Sequence, residues 1–452
     1  MGGVPNEFSV DLLVIGAGPA GSAAALSAAR HGLDVLLVDA ARLPRDKTCG
    51  DGLTPRALHA LKELGIAEGV LGTYRNRGLK LHGFGGSVTS PWPRSGFGQE
   101  GSARPRVLLD AAITAAALRA GARVWQATRV SDVEIDAGRI ARATLHRTEC
   151  YAQLTAAELE ADAGAADTVA AANRRARAGD LVATEVQVRP RHVLVADGVR
   201  SEVGRMLGRR WHRDEVFGIA ARSYCTSPYS REPWIHSHVE LRDAAGAVQP
   251  GYGWVFPLGD GSVNLGCGAL STDRRPAKVN TKKLLRLYAG QQTPEWRLGE
   301  PEQVTSALLP MGGAVSGVAG ANWMLIGDAA CLVNPLNGEG IDYAIESARL
   351  AVELITAGER DIERAWPETL RRHYGDAFAL ARTLARALTH PRFLPLVGPI
   401  GLSGPQARVL MPAAARLMSN LVTEADRDLV ARLWRLAGSG VRRARRSRPL
   451  WG

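Results

Sequence analysis

The sequence predicts an α/β chain built from a Rossmann-like dinucleotide-binding domain, an inserted antiparallel β-sheet domain and a helical C-terminal region. Three stretches predict it. LLVIGAGPAGSAAALSAARHGLDVLLVDA (residues 12–40) reads strand, glycine turn, helix and second strand. WMLIGDAA (residues 323–330) is another apolar strand ending on an acid, followed by a glycine-bearing loop and a helix. Between them, from about Val216 to Ala307, alternating patterns such as GYGWVFPLGDGSVNLGCGAL mark antiparallel strands. At 452 residues, 46% hydrophobic and 22% charged, the chain can bury a core in more than one domain.

Taken in order, MGGVPNEFSV shows no basic segment followed by an apolar run, so no signal peptide is expected. Asn6 stands where a myristoylation signal needs Ser or Thr. In the fingerprint, Gly16 permits the tight turn, Gly18 lets backbone approach a pyrophosphate, and Gly21 allows close helix–strand packing; Ala17, Pro19 and Ala20 complete the turn. The pyrophosphate belongs at the helix N-terminus. Asp39, closing the second strand, is placed to accept ribose hydroxyls. Thr54-Pro55 is read as a cap and first helical residue, the helix running to about Leu64. Residues 75–105, rich in Gly, Pro and aromatics, leave for another domain. Arg106 opens a helix stopped by Gly121, and short strands follow near Val124, Val130–Ile135 and Ile140–Leu145. Residues 152–182 are Ala-rich and charged, an exposed, partly helical insertion without chemistry. HVLVADG returns a buried strand. Beyond WMLIGDAA, Ile341, Ile345, Ala348, Val352 and Ile355 form one buried helix face. The implied division is 8–75, 106–215 and 308–375 for the nucleotide domain, 76–105 and 216–307 for the sheet domain, and 376–452 for the helical region.

The five cysteines (Cys49, Cys150, Cys225, Cys267, Cys331) form no CxxC pair, so neither a metal site nor a disulfide framework is expected. No stretch approaches about 18 consecutive apolar residues, so no spanning helix is expected. The net charge of +11 concentrates in RRARRSRP, with five arginines in Arg442–Pro449. That tail is either a solvated end or an attraction to an anionic membrane face, worth about 1 kcal/mol per basic residue. No aromatic-basic platform or helix-turn-helix supports nucleic acid.

The chemistry gathers in three places. Asp328 ends its strand ahead of NPLNGEGID, where Gly338, Gly340 and Ile341 leave N–H groups and a positive helix end for the N1–C2=O edge of a flavin. Asp328 then takes the ribityl hydroxyls, and FAD is favoured over NAD because NAD needs no such second site. In DKTCGDGLTP, Gly50 and Gly52 let backbone approach an isoalloxazine. The helix start at Thr54-Pro55 is expected to lower the Cys49 thiol pKa. Tyr252, Trp254 and Phe256 alternate and so face one side of a sheet, as core or as the wall of an apolar cavity.

GAGPAG, CGDGL, ADG at 196–198, YGWVFP at 252–257 and GDAA…NPLNGEGI resemble the geranylgeranyl reductase family across roughly residues 8–375. The resemblance implies an FAD enzyme with the fold of the aromatic-ring hydroxylases. DKTCGDGLTPRA, LLPMGGAVSGVAG and NPLNGEGIDY look closest to the branch that saturates a double bond in the isoprenoid tail of menaquinone. Gln249 stands where the family's longer aromatic motif has proline. The expected cofactor set is Gly16–Gly21, Asp39, Cys49, Gly50, Asp51, Gly52, Arg106, Asp328, Gly338, Gly340 and Ile341. Cys49, Tyr252 and Trp254 are the catalytic candidates; Cys49, Tyr252 and Asp51, in that order, are candidate proton donors to an alkene receiving hydride from reduced FAD. Expected partners are a polyprenyl substrate, an unidentified electron donor and, peripherally, the cytoplasmic face of the membrane. Reduction of geranylgeranyl diphosphate or lipid, a flavin monooxygenase and a prenyl-binding escort protein are the alternatives. No second glycine fingerprint marks a dedicated NAD(P)H domain.

Overall fold

The computed structural model describes residues 7–148, 154–165, 184–422, 426–444 and 449–451. Its first sheet grows from four parallel strands, buried along Val35–Val38 and Trp323–Leu325 and at the C-terminal ends of the other two. Glu7–Ile15 lies between Val35–Val38 and Thr184–Val195, and Trp323–Leu325 extends the sheet beyond Val193–Val195. Arg123–Trp125 pairs parallel on the far edge of Val35–Val38. Continuous apolar runs such as Val35–Val38 suit strands covered on both faces, and each buried aliphatic contributes about 1.5–3 kcal/mol relative to exposure. Thr128–Asp136 and Arg139–Arg147 form an antiparallel hairpin on the N-terminal half of Thr184–Val195.

Four loops therefore leave the carboxyl ends of neighbouring parallel strands: Gly16 after the first, Asp39 after the second, Asp197 after Thr184–Val195, and Asp328 after Trp323–Leu325. In open α/β sheets this edge is where ligands bind.

The second sheet has seven strands in the order Glu302–Leu309, Phe217–Thr226, Ser262–Ser271, Gly251–Pro257, Ile235–His238, Gly78–Gly83 and Gly86–Pro91. All neighbours are antiparallel except Ile235–His238 with Gly78–Gly83. Its register sets Tyr252 opposite Gly268 and Trp254 opposite Gly266. A Cβ at Gly266 would lie 2.0 Å from Trp254 Cζ2, so that glycine makes the bed on which the indole lies.

Helix Phe393–Leu402 lies on the hairpin Gly78–Gly83/Gly86–Pro91, with Leu402 buried beside Leu81 and Val88. Helix Leu429–Ala444 rests Ala431, Trp434 and Gly438 inward, with Gly438 close to the Asp376 carbonyl. Helix Ile362–Leu388 runs unbroken through residue 375, so the boundary placed there falls inside one helix.

One expectation for an exposed segment changes. Within the 152–182 insertion the described part, Ala156–Ala165, is a helix that buries Leu159 and Ala163, one turn apart. Small apolar residues at that spacing suffice for a packing stripe, so this part is not wholly exposed; the rest lies outside the described residues. So do Arg445, Arg446, Ser447 and Arg448 of the basic tail, and Cys150.

Candidate cofactor and active site

The fingerprint turn is shaped by backbone contacts. Gly16 has φ +103°, and a Cβ there would lie 2.4 Å from the Ala196 carbonyl oxygen. A Cβ on Gly21 would lie 1.8 Å from the Gly16 oxygen. Gly18 differs: the nearest protein atom to its missing Cβ is Arg45 Nη2 at 3.7 Å. The open space at Gly18 is what a pyrophosphate requires. Helix Pro19–Arg30 begins there with no side-chain cap, leaving its first N–H groups for a ligand.

Asp39 accepts from Ala17 N at 2.7 Å and Ala41 N at 2.8 Å, with Arg45 Nη2 at 3.3 Å. Ala17 N and Arg45 both bond Oδ2, so Oδ1 is the oxygen that keeps a lone pair for a ribose hydroxyl. The acid of the second motif comes close: Gly327 meets the fingerprint helix, its Cβ position 2.9 Å from Ala20 Cβ. Asp328 stays partly exposed, with Lys47 Nζ 3.8 Å from its carboxylate. Helix Ile341–Thr356 also starts without a side-chain cap, at Gly340, and buries all five of Ile341, Ile345, Ala348, Val352 and Ile355. The glycines and the two uncapped helix ends fit an extended dinucleotide carrying a flavin at the second end.

The CGDG segment crosses to the second sheet. The Cβ directions of Gly50 and Gly52 point at Phe256 and, from Gly50, at Trp254, with contacts of 3.2–3.4 Å. Their small size therefore seats the segment on the aromatic strand, a reason the sequence reading assigned to the isoalloxazine. Tyr252, Trp254 and Phe256 do line one face, with centroids 5.9 and 6.1 Å apart. Trp254 donates its N–H to Asn264 Oδ1 at 2.9 Å, and Tyr252 donates its hydroxyl proton to the Asn337 carbonyl. Burial, with the Glu339 and Cys49 charges beside it, raises the Tyr252 pKa.

Asn264 joins these parts, donating to Cys49 O at 2.9 Å and to Asp51 Oδ2 at 2.8 Å. Asp51 is fully buried in the left-handed region, φ 61°, and also accepts from the Tyr224 hydroxyl at 2.6 Å. Burial raises its carboxyl to about 6 against the opposing pull of Arg222. Cys49 departs from expectation. Its thiol pKa is raised, because burial outweighs Arg106 and the Asp51 charge adds to the rise. A helix start nearby does not compensate for lost solvent. Arg106 is engaged with Asp110 through two bonds of 2.7 and 2.8 Å.

Sequence reasoning missed the residues under the loop that leads into helix Ile341–Thr356. Glu339, between Gly338 and Gly340, accepts from the Thr54 hydroxyl and from Asn337 Nδ2 at 3.2 Å. Arg56, the second residue of helix Pro55–Glu63, grips Glu346 through two bonds of 2.7 Å and stands 3.6 Å from Asp342. Burial raises Glu339 to about 7 and Asp342 well above the carboxylate range. The signal was present as Asp342 and Glu346, one turn apart on a helix, with Glu339 just ahead of its start, but nothing local names their partner.

Residues 9–361 match the family described as FAD binding domain. The chain is 49% identical over 444 residues to a menaquinone reductase of Mycobacterium tuberculosis, covering 98% of this chain and 99% of that protein. It is 29% identical to digeranylgeranylglycerophospholipid reductase 1 of Methanopyrus kandleri, covering 84% and 90%. A geranylgeranyl bacteriochlorophyll reductase-like protein of Thermoplasma acidophilum shares the fold, with a TM-score of 0.67, 21% identity, and coverage of 94% and 99%. With the two uncapped helix ends and the glycine cradle in place, the chain belongs to the FAD binding domain family and is an FAD-dependent oxidoreductase.

Proposed function

We propose that the protein saturates one C=C bond in the isoprenoid tail of menaquinone. The observation that carries this is the 49% identity extending over nearly the whole of both chains. Bound FAD supplies the two-electron chemistry. The chain's own residues do the rest. Gly16–Gly21 and Asp39 hold the adenosine diphosphate half, Asp328 the ribityl, and the N–H groups around Gly338, Gly340 and Ile341 the flavin edge. Cys49, Gly50, Asp51, Gly52 and Arg106 close the site from the other side.

Tyr252, Trp254 and Phe256 give the tail an apolar wall and exclude water from it. With the Tyr252 and Trp254 protons committed to Asn337 and Asn264, these rings orient substrate; the groups left to hold a proton are Cys49 and the buried carboxyls. Anaerobic incubation of the reduced holoenzyme with menaquinone is expected to give product two mass units heavier. Reduction of geranylgeranyl diphosphate alone would overturn the menaquinone assignment.

A tail embedded in lipid requires the enzyme to dock at a membrane, and we assign that contact to the last helices, at the cytoplasmic face. No helix among the described residues is long and apolar enough to cross a membrane. Leu429, Leu433 and Leu436, spaced i, i+4, i+7, are 56–70% exposed, and Leu396 and Ile400 project from helix Phe393–Leu402. Exposed Arg427, Arg432 and Arg443 border the leucine stripe, a pairing suited to anionic lipid. Replacing Leu429, Leu433 and Leu436 with Asp is expected to reduce sedimentation with phosphatidylglycerol vesicles at least tenfold; unchanged sedimentation sinks the assignment.

A further inference from the structure

The acids beneath the flavin loop hold more negative charge than their neighbours neutralise. Glu339, Asp342 and Glu346 lie on one side of the start of helix Ile341–Thr356, with the Arg56 guanidinium set among them. Thr54 and Asn337 donate to Glu339, and the Tyr374 hydroxyl donates to Glu346 at 3.1 Å. Tyr343 and Tyr252 approach from the helix and from the aromatic strand, both sensing the Glu339 charge. Asp342 is fully buried, and neither of its oxygens makes a hydrogen bond of normal geometry among the described residues. Three ionised carboxylates around one guanidinium would leave two uncompensated charges where Asp342 is fully buried and Glu339 and Glu346 are partly so, and each ion taken fully out of water costs several kcal/mol. The cluster therefore keeps a proton.

Its position gives that proton a use. Glu339 is flanked by Gly338 and Gly340, at the uncapped helix end assigned above to the flavin edge. Two electrons delivered there add negative charge beside a carboxyl that already resists ionisation, and a like charge raises its proton affinity further.

We propose that Glu339, backed by Asp342, is a redox-linked proton site: it binds one proton when the cofactor receives an electron pair and releases it when the pair leaves. This rests on the placement of the flavin at this loop. The balance is that of alkene reduction. One π bond is lost and two C–H bonds form, from two electrons and two protons. The electron pair comes from a two-electron donor of the nicotinamide or reduced redox-protein class. One proton travels with the pair through the cofactor. The other is held in the Glu339 O–H bond until that bond breaks as the pair departs, leaving the carboxylate.

The test is the midpoint potential of bound FAD in the holoenzyme against pH, read spectroelectrochemically from pH 6 to 9. In a two-electron couple each accompanying proton contributes about 30 mV per pH unit. Wild type is expected to show a segment above neutrality with twice that slope, and E339Q the single-proton slope throughout. Equal slopes in the two proteins overturn the proposal. The visible absorbance of oxidised FAD separates the two possible failures. A band shifted by E339Q with an unchanged slope removes only the proton role, whereas band and slope both unchanged also remove the flavin from this loop. Should E339Q not retain FAD, T54V serves. Losing the hydroxyl that stabilises the carboxylate moves the steep segment to higher pH, and an unmoved segment is equally fatal.

Discussion

Arg56→Met is expected to destabilise the holoenzyme by about 3–5 kcal/mol at pH 7.5, because it strips the cation from the fully buried Asp342 and the partly buried Glu339 and Glu346 while leaving them in place. The loss should shrink toward pH 5.5. The sign follows from linkage. Glu339 and Asp342 are raised above their unfolded values, so the folded state binds more protons than the unfolded chain once pH exceeds about 4. Stability then falls as pH rises, in wild type through the titration of Glu339 near 7 and onward while Asp342 keeps its proton, and more steeply in the variant, whose acids have lost Arg56. Urea denaturation at the two pH values measures both quantities. A cost below about 1 kcal/mol at pH 7.5, or one that grows on acidification, would show that Arg56 is not their counter-charge.

Gly21→Ala carries the other large effect. Its new methyl would sit 1.8 Å from the Gly16 carbonyl oxygen and 3.3 Å from Ala196 Cβ, both in rigid surroundings. The strand and fingerprint helix must separate, at or beyond the upper end of the ~1–3 kcal/mol typical of overpacking. Gly18→Ala makes the contrast, since its methyl meets no protein atom closer than 3.7 Å. That variant should fold with wild-type stability as apoprotein yet purify colourless, because the methyl takes the space proposed for the pyrophosphate. Gly21→Ala should lose both colour and stability. Yellow, stable Gly21→Ala protein would refute the packing role.

The contrast between these two regions explains what could be read in advance. The fingerprint was legible because Gly16, Gly18, Gly21 and Asp39 act within one strand–turn–helix–strand unit, where spacing along the chain is spacing in the fold. The aromatic strand was legible as a single face through its period of two. What escaped were meetings across long sequence separations: Asn264 with Asp51, Tyr224 with Asp51, Arg56 with Glu346. Each is chemically ordinary alone and acquires a role only from its partner. The Cys49 error has the same origin. The helix end is local and visible, while the burial that outweighs it is assembled from distant segments.

The hydrogen bonds from Tyr252 to Asn337 and from Thr54 to Glu339, with the Asn264 bridge to Cys49 and Asp51, fasten the proposed substrate wall and the proposed cofactor seat into one mechanical unit. A molecule that wedges Tyr252 away from Asn337 would therefore loosen both at once. For inhibitor design, that seam offers a grip on the cofactor without competing for the nucleotide half of its site.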